Sequence, residues 1–234
     1  FIILCKKLGY TPMPTVEKSI SSAILRQVLP ASFNFLIMIF GSLIITGFVS
    51  QFGDYAVAGY SVGLRLEQVL LLPALGLNTA VLAISGQNFG AKNYRRIAET
   101  YRKGLILSLS ISFACIPIMV FLSPLLMSFF SQQQAIIDVG TSYLRIDAIA
   151  FFCYVSLFIS VATLQAIKQP DFPVIMGLFR QLILPFLVNV ILITHFDFGI
   201  EWIFGSVACI VFTSMIITLL YTRSKLKKLA ITGT

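Results

Sequence analysis

Apolar residues fall in six long blocks separated by short polar stretches, and this spacing sets the first expectation. The blocks cover roughly 29–52, 56–85, 104–130, 139–167, 172–194 and 200–222. Each reaches the length of about 20 mostly apolar residues that a helix needs to cross a bilayer. The run from Gly104 to Ile137 has no Asp, Glu, Lys or Arg, whereas the second block carries Arg65 and Glu67. Period-2 alternation is absent. Lipid offers a free amide no partner, so the blocks are expected as helices rather than barrel strands.

The polar stretches sort by charge. Lys6, Lys7, Lys18 and Arg26 lie before the first block. Lys92, Arg95, Arg96, Arg102 and Lys103 follow the second, Lys168 follows the fourth, and Arg223, Lys225, Lys227 and Lys228 follow the sixth. The alternate connections near 51–55, 131–138 and 195–201 contain no Lys or Arg. Basic loops stay inside, so the expectation is a cell-membrane protein, bacterial in character, with both ends of the sequence cytoplasmic. Lys92 to Lys103 places Tyr94, Ile97, Ala98 and Tyr101 at helical spacing, which predicts a short interfacial helix, and Val16–Arg26 predicts another. Phe1–Lys7 reads as the tail of a longer apolar helix and lacks the layout of a signal peptide. The resulting division is an inter-lobe linker at 1–28 with the end of a preceding helix, a six-helix membrane lobe at 29–222 and a basic tail at 223–234. The sequence is thus expected to be a fragment of a larger protein.

Composition agrees. The chain is 58% hydrophobic and 11% charged, more apolar surface than one soluble core of 234 residues can hide. Its net charge of +8 follows from the basic loops and does not call for a nucleic-acid partner. Cys5, Cys115, Cys153 and Cys209 have no zinc or redox spacing, and His195 is the only histidine. No metal site, cofactor or catalytic set is expected, so the chain does not read as an enzyme. Trp202 and Tyr221 flank the last block as interface anchors.

The polar run Gly86-Gln87-Asn88-Phe89-Gly90-Ala91-Lys92 ends the second block. Three residues separate its glycines and Ala91 precedes the lysine, so it does not fit a phosphate-binding loop. A helix stop is the local reading, with Gly86 and Gly90 permitting the turn and Gln87 and Asn88 meeting exposed backbone groups.

With Ala58-Gly59-Tyr60-Ser61-Val62-Gly63-Leu64-Arg65-Leu66-Glu67, Pro73 and Ala80 upstream, this run resembles the eighth helix and following loop of the multidrug and toxic compound extrusion (MATE) transporters. Tyr143-Leu144-Arg145-Ile146 and Leu164-Gln165-Ala166-Ile167-Lys168-Gln169-Pro170 resemble the tenth helix and its exit, and Leu29-Pro30 fits the seventh. The resemblance implies an all-α integral membrane fold, the C-terminal six-helix lobe of a twelve-helix transporter. It implies export of amphipathic or cationic compounds by H⁺ or Na⁺ antiport, with a missing N-terminal six-helix lobe as partner. The NorM-type branch has a carboxylate in helix seven and an aspartate about ten residues before the exit motif of helix ten. Here Phe33–Met38 has no acid and the second position is Tyr154. The pattern is therefore closer to the DinF-like branch, whose essential carboxylate lies in the other lobe. A related lipid-linked precursor flippase is the alternative, sustained by Arg65 and Arg180.

Two acids lie within the blocks. Glu67 shares a helical stripe with Leu71 and Asn78. It reads either as a proton- or cation-responsive site or as a structural partner of Arg180. Asp147, with Tyr143 one turn away, sits near the end of the fourth block and reads as solvated or paired. Glu67, Asn78, Arg180, Tyr154 and Asp147 are the candidate pathway residues. Pro73, Pro117 and Pro185 are expected to loosen their helices.

Overall fold

A computed structural model describes residues 18–196 and 199–232; within these, the side chains of residues 18–28, 30, 31, 34, 35, 193–196 and 232 are not described. The expectations for Phe1–Lys7, for the first two residues of Val16–Arg26, for the acid-free stretch at Asn34 and Phe35, and for the His195 side chain lie outside what is described. All described elements are helical: α1 (Lys18–Val49) with a 3₁₀ turn (Ser50–Phe52), α2 (Asp54–Gly90), α3 (Tyr94–Phe121), the short α4 (Ser123–Ser128), α5 (Gln134–Ala166), α6 (Asp171–Leu178), a π turn (Phe179–Ile183), α7 (Leu184–Phe196) and α8 (Ile200–Thr232).

Five of the described helical stretches are long and apolar enough to cross a membrane: Asp54–Gly90, Tyr94–Phe121, Gln134–Ala166, Asp171–Leu192 and Ile200–Ile231. Leu36–Phe52 adds a shorter apolar helix. Phe113 is 82% exposed and Phe121 77%, which only a lipid surround makes inexpensive for side chains of this size.

α5 is the central rod. It is buried nearly all round, with Leu144, Phe151, Val155, Ile159 and Leu164 among its covered residues. Gly140, Thr141, Ser156, Ser160 and Thr163 are buried between them. Such small side chains let neighbouring helix backbones approach, which drives helix packing where lipid competes with apolar contacts. α2 is the closest case. Its buried residues Ala56, Gly59, Tyr60, Gly63, Glu67, Leu71 and Ala74 repeat at intervals of three and four and form one face. A Cβ added to Gly59 would stand 2.7 Å from the Ile136 carbonyl oxygen and 2.9 Å from Val139 Cβ. At Gly63 it would stand 2.7 Å from the Tyr143 ring. The two glycines are four residues apart, so α2 lies directly on the start of α5.

Several local expectations change. The interfacial helix at Lys92–Lys103 is not separate: from Tyr94 on it is the first turns of α3, and Ile97 and Tyr101 are buried. Likewise, from Lys18 the proposed second interfacial helix runs without a break into α1. The third block is divided, since α3 stops at Phe121 and α4 starts at Ser123. Pro124 has no N–H to return to Val120, and Arg145 Nε donates to that carbonyl instead, at 3.2 Å. Arg145 is exposed, and this bond fixes its direction. Pro73 and Pro117 lie within unbroken helices. Pro185 does perturb its rod: the preceding turn widens, and Leu184 N–H bonds to Phe179 O at the π spacing. Gly41 of α1 fits against this widened turn, where an added Cβ would be 2.6 Å from the Gln181 carbonyl oxygen.

The Gly-Gln-Asn run is helix rather than loop as far as Gly90. Asn88 Nδ2 donates to Ile84 O at 2.8 Å, and Asn93 N–H closes the end by bonding Asn88 O. Lys92 takes φ +56° there. The exit of α5 repeats the device: Gln169 N–H bonds Leu164 O, and Lys168 has φ +59°. Both ends thus have a lysine in the left-handed position that glycine normally fills. A positive side chain also complements the negative end of the helix dipole.

Candidate functional site

The α2–α5 contact puts two intramembrane acids in one place. Glu67 stands four residues beyond Gly63, on the same face, and Tyr143 stands three beyond Gly140. The Tyr143 hydroxyl donates to Glu67 Oε2 across the interface. Asp147 is one turn further along α5. Glu67 is 8% exposed, Tyr143 8% and Asp147 6%. Tyr143 links the two acids, since it bonds Glu67 and lies one turn from Asp147 on the same face of α5. Asp147 Oδ2 has no hydrogen-bond partner among the described residues.

Aromatic rings enclose the acids. Tyr60 meets Tyr143 edge-on with centroids 5.0 Å apart and stacks on Phe204 of α8 at 5.7 Å. Phe204 meets Tyr143 edge-on at 5.1 Å. Each such pair adds roughly 0.5–1.5 kcal/mol beyond area burial, and together they fix the Tyr143 hydroxyl on Glu67. Arg180, in the π turn, places its guanidinium carbon 6.0 Å from the Tyr154 ring centroid. The site is therefore two acids held by tyrosines, with one arginine at the Tyr154 side.

Two readings of the acids change. Asp147 is buried rather than solvated, because it lies on the face of α5 that packs into the bundle, away from the exposed Arg145 and Ile149. Glu67 takes Tyr143 as its hydrogen-bond partner instead of Arg180, because the glycine contact brings α5 closer than the π turn. Arg65 is exposed. Glu67, Asp147, Tyr154 and Arg180 come together. Asn78 does not: it is half-buried and eleven residues beyond Glu67, about 16 Å along the axis. The motif residues Gly86, Gln87, Asn88, Gly90 and Ala91 are further still along α2 and only shape its end. Tyr60 and Phe204 had not been singled out as site residues. The spacing Gly59-x-x-x-Gly63-x-x-x-Glu67 was the signal for Tyr60's helix, while nothing local marks Phe204. Tyr221, expected as an anchor, stacks on Phe172 with centroids 3.7 Å apart. Among the described residues no group of three or more His, Cys, Asp or Glu could hold a metal ion.

Residues 30–191 match the MatE family model. The chain is 27% identical over 191 residues to the multidrug export protein MepA of Staphylococcus aureus, covering 81% of this chain and 41% of that protein. It is 24% identical over 164 residues to the probable multidrug resistance protein YoeA of Bacillus subtilis, covering 70% and 35%. Among solved structures, a MOP superfamily transporter from Pyrococcus furiosus superposes with TM-score 0.87 at 20% identity, covering 96% of this chain and 50% of that one. An outward-facing multidrug resistance MATE family transporter superposes with TM-score 0.86 at 20% identity, covering 94% and 49%. The chain spans less than half the length of these curated relatives and half the length of the solved structures.

Proposed function

This chain belongs to the MatE family, a family of multi-pass transporters, and we propose that it is the C-terminal half of a cation-coupled antiporter that exports amphipathic or cationic compounds. The partner is an N-terminal six-helix lobe, in keeping with relatives about twice as long. Rocking of the two lobes gives alternating access to a cavity between them. The basic ends of the helices face the cytoplasm.

One observation carries the coupling role: Glu67 and Asp147 are buried together, on two helices locked by Gly59 and Gly63. Uncompensated charge within a membrane is expensive, and intramembrane acids mark ion pathways. Two buried carboxyls joined through the Tyr143 turn of α5 form a docking point for one H⁺ or Na⁺. Tyr143 holds Glu67 in place, and Asp147 keeps an oxygen without a hydrogen-bond partner among the described residues. Tyr154 and Arg180 border the same site, where an incoming organic cation competes with the coupling ion for the acids. This pair stands apart from the family's helix-ten position at Tyr154, two turns along the same helix.

The test uses the full-length transporter in proteoliposomes with imposed H⁺ or Na⁺ gradients. Glu67→Gln and Asp147→Asn should each reduce gradient-driven dye export by about tenfold or more, with dye binding retained. Export by both variants at wild-type rate under either gradient would overturn the assignment of coupling to this pair. No export by the wild type under either gradient would overturn the antiporter reading itself.

A further inference from the structure

Away from the acids, at the basic end of the bundle, α3 and α8 border an open cavity of about 460 Å³. Ala98, Tyr101, Arg102 and Leu105 line it from α3, and Arg223, Leu226, Lys227 and Ala230 line it from α8. Both helices contribute at offsets of zero, three, four and seven, so two complete helix faces meet here. The lining is divided in character: three long cations stand beside alanine, leucine and the Tyr101 ring. The Tyr101 hydroxyl is turned inward, 3.1 Å from Ser160 Oγ, and leaves its ring to the wall. Arg102, Arg223 and Lys227 form no ion pair among the described residues. By contrast, nearby Arg95 is engaged with Glu99 at 3.3 Å.

Position decides what such a lining suits. Arg102 precedes the charge-free run that begins at Gly104, and Arg223 follows the uncharged end of the last apolar block. The cations therefore stand at the level where lipid headgroups meet hydrocarbon, with the apolar lining beside them. We infer that this cavity is a binding site for an anionic phospholipid, its phosphates held by Arg102, Arg223 and Lys227 and its upper acyl chain lying against Leu105, the lining residue on the membrane side of the cations. A lipid with two phosphates, such as cardiolipin, uses three cations better than a single-phosphate lipid. Bound there, it would tie α3 to α8 at the end where both leave the membrane. A free anion gains nothing from the apolar half of the lining.

The experiment is native mass spectrometry of the full-length protein with cardiolipin or phosphatidylcholine added. The wild type should retain cardiolipin in preference to phosphatidylcholine by about tenfold or more. Substituting Arg102→Gln, Arg223→Gln and Lys227→Gln together should abolish that preference. Removing three charges elsewhere on the same end, with Arg95→Gln, Arg96→Gln and Lys103→Gln, should change it less than about twofold. Ala230→Phe, at an exposed position, fills the cavity and leaves the charges in place; it should also abolish the preference. This second variant tests the site even if the triple substitution fails to fold. Equal loss in the two triple variants would overturn the proposal in favour of a diffuse basic belt. So would unchanged retention in Ala230→Phe, displacement of the lipid by inorganic phosphate, or absence of any preference in the wild type.

Discussion

Replacing Gly59 by alanine tests the contact on which the acid site rests. The new methyl carbon would lie 2.7 Å from the Ile136 carbonyl oxygen, and ordinary contact begins at 3.4 Å. The shortfall is about 0.7 Å against backbone, which cannot rotate aside, and overpacking of this kind costs about 1–3 kcal/mol. Alanine is also a better helix former than glycine by up to about 1 kcal/mol, which would hide part of the effect. Gly76 supplies the control, since it lies in the same helix and a Cβ there meets nothing within 4 Å. Subtracting the Gly76→Ala effect from the Gly59→Ala effect removes the propensity gain and leaves the clash. The assay is thermal denaturation of the full-length protein in one detergent, with both variants measured side by side. For a protein about twice this length the shift is about 1–2 °C per kcal/mol, so Gly59→Ala should melt roughly 1–6 °C below Gly76→Ala. Melting at the same temperature would refute the argument that α2 and α5 touch at Gly59.

Two further outcomes are expected. In a double-mutant cycle of Glu67→Gln and Tyr143→Phe, the coupling energy should fall at about 0.6–1.7 kcal/mol, the range for hydrogen bonds between membrane helices; additivity within about 0.3 kcal/mol would show that the two side chains do not interact. Lys92→Gly and Lys168→Gly relieve a left-handed backbone at matching helix ends, so each should raise thermal stability by up to about 1 kcal/mol. A loss in both would mean that the lysine side chains contribute more than the strain they impose.

The acid site shows how far the letters carry. The stripe of three and four from Ala56 to Ala74 places Glu67 on the buried face of α2, and the sequence alone contains it. The same kind of reading fails for Asp147, since most of α5 is covered and its exposed positions include the apolar Ile149 as well as Arg145. Proline gives a similar contrast. The turn before Pro185 is widened and Gly41 leaves room for the Gln181 carbonyl beside it, whereas Pro73 and Pro117 sit in continuous helices. The residue type is the same in each case, and the neighbour differs.

What the sequence by itself determined is the helical, membrane-crossing character of the chain and its family. Both follow from local properties: apolar length, charge between blocks, and short motifs such as Gly86–Ala91. The tertiary structure alone decided that Glu67 meets Tyr143 rather than Arg180, and that Asp147 is buried one turn from Tyr143 with no partner for Oδ2 among the described residues. It also decided that Phe204 closes the aromatic enclosure and that Arg102 and Arg223 share a cavity. These pairings join residues 61 to 144 positions apart in the chain, and they depend on how closely two backbones approach. That approach is governed by glycines on one helix and backbone carbonyls on another, which no local pattern records.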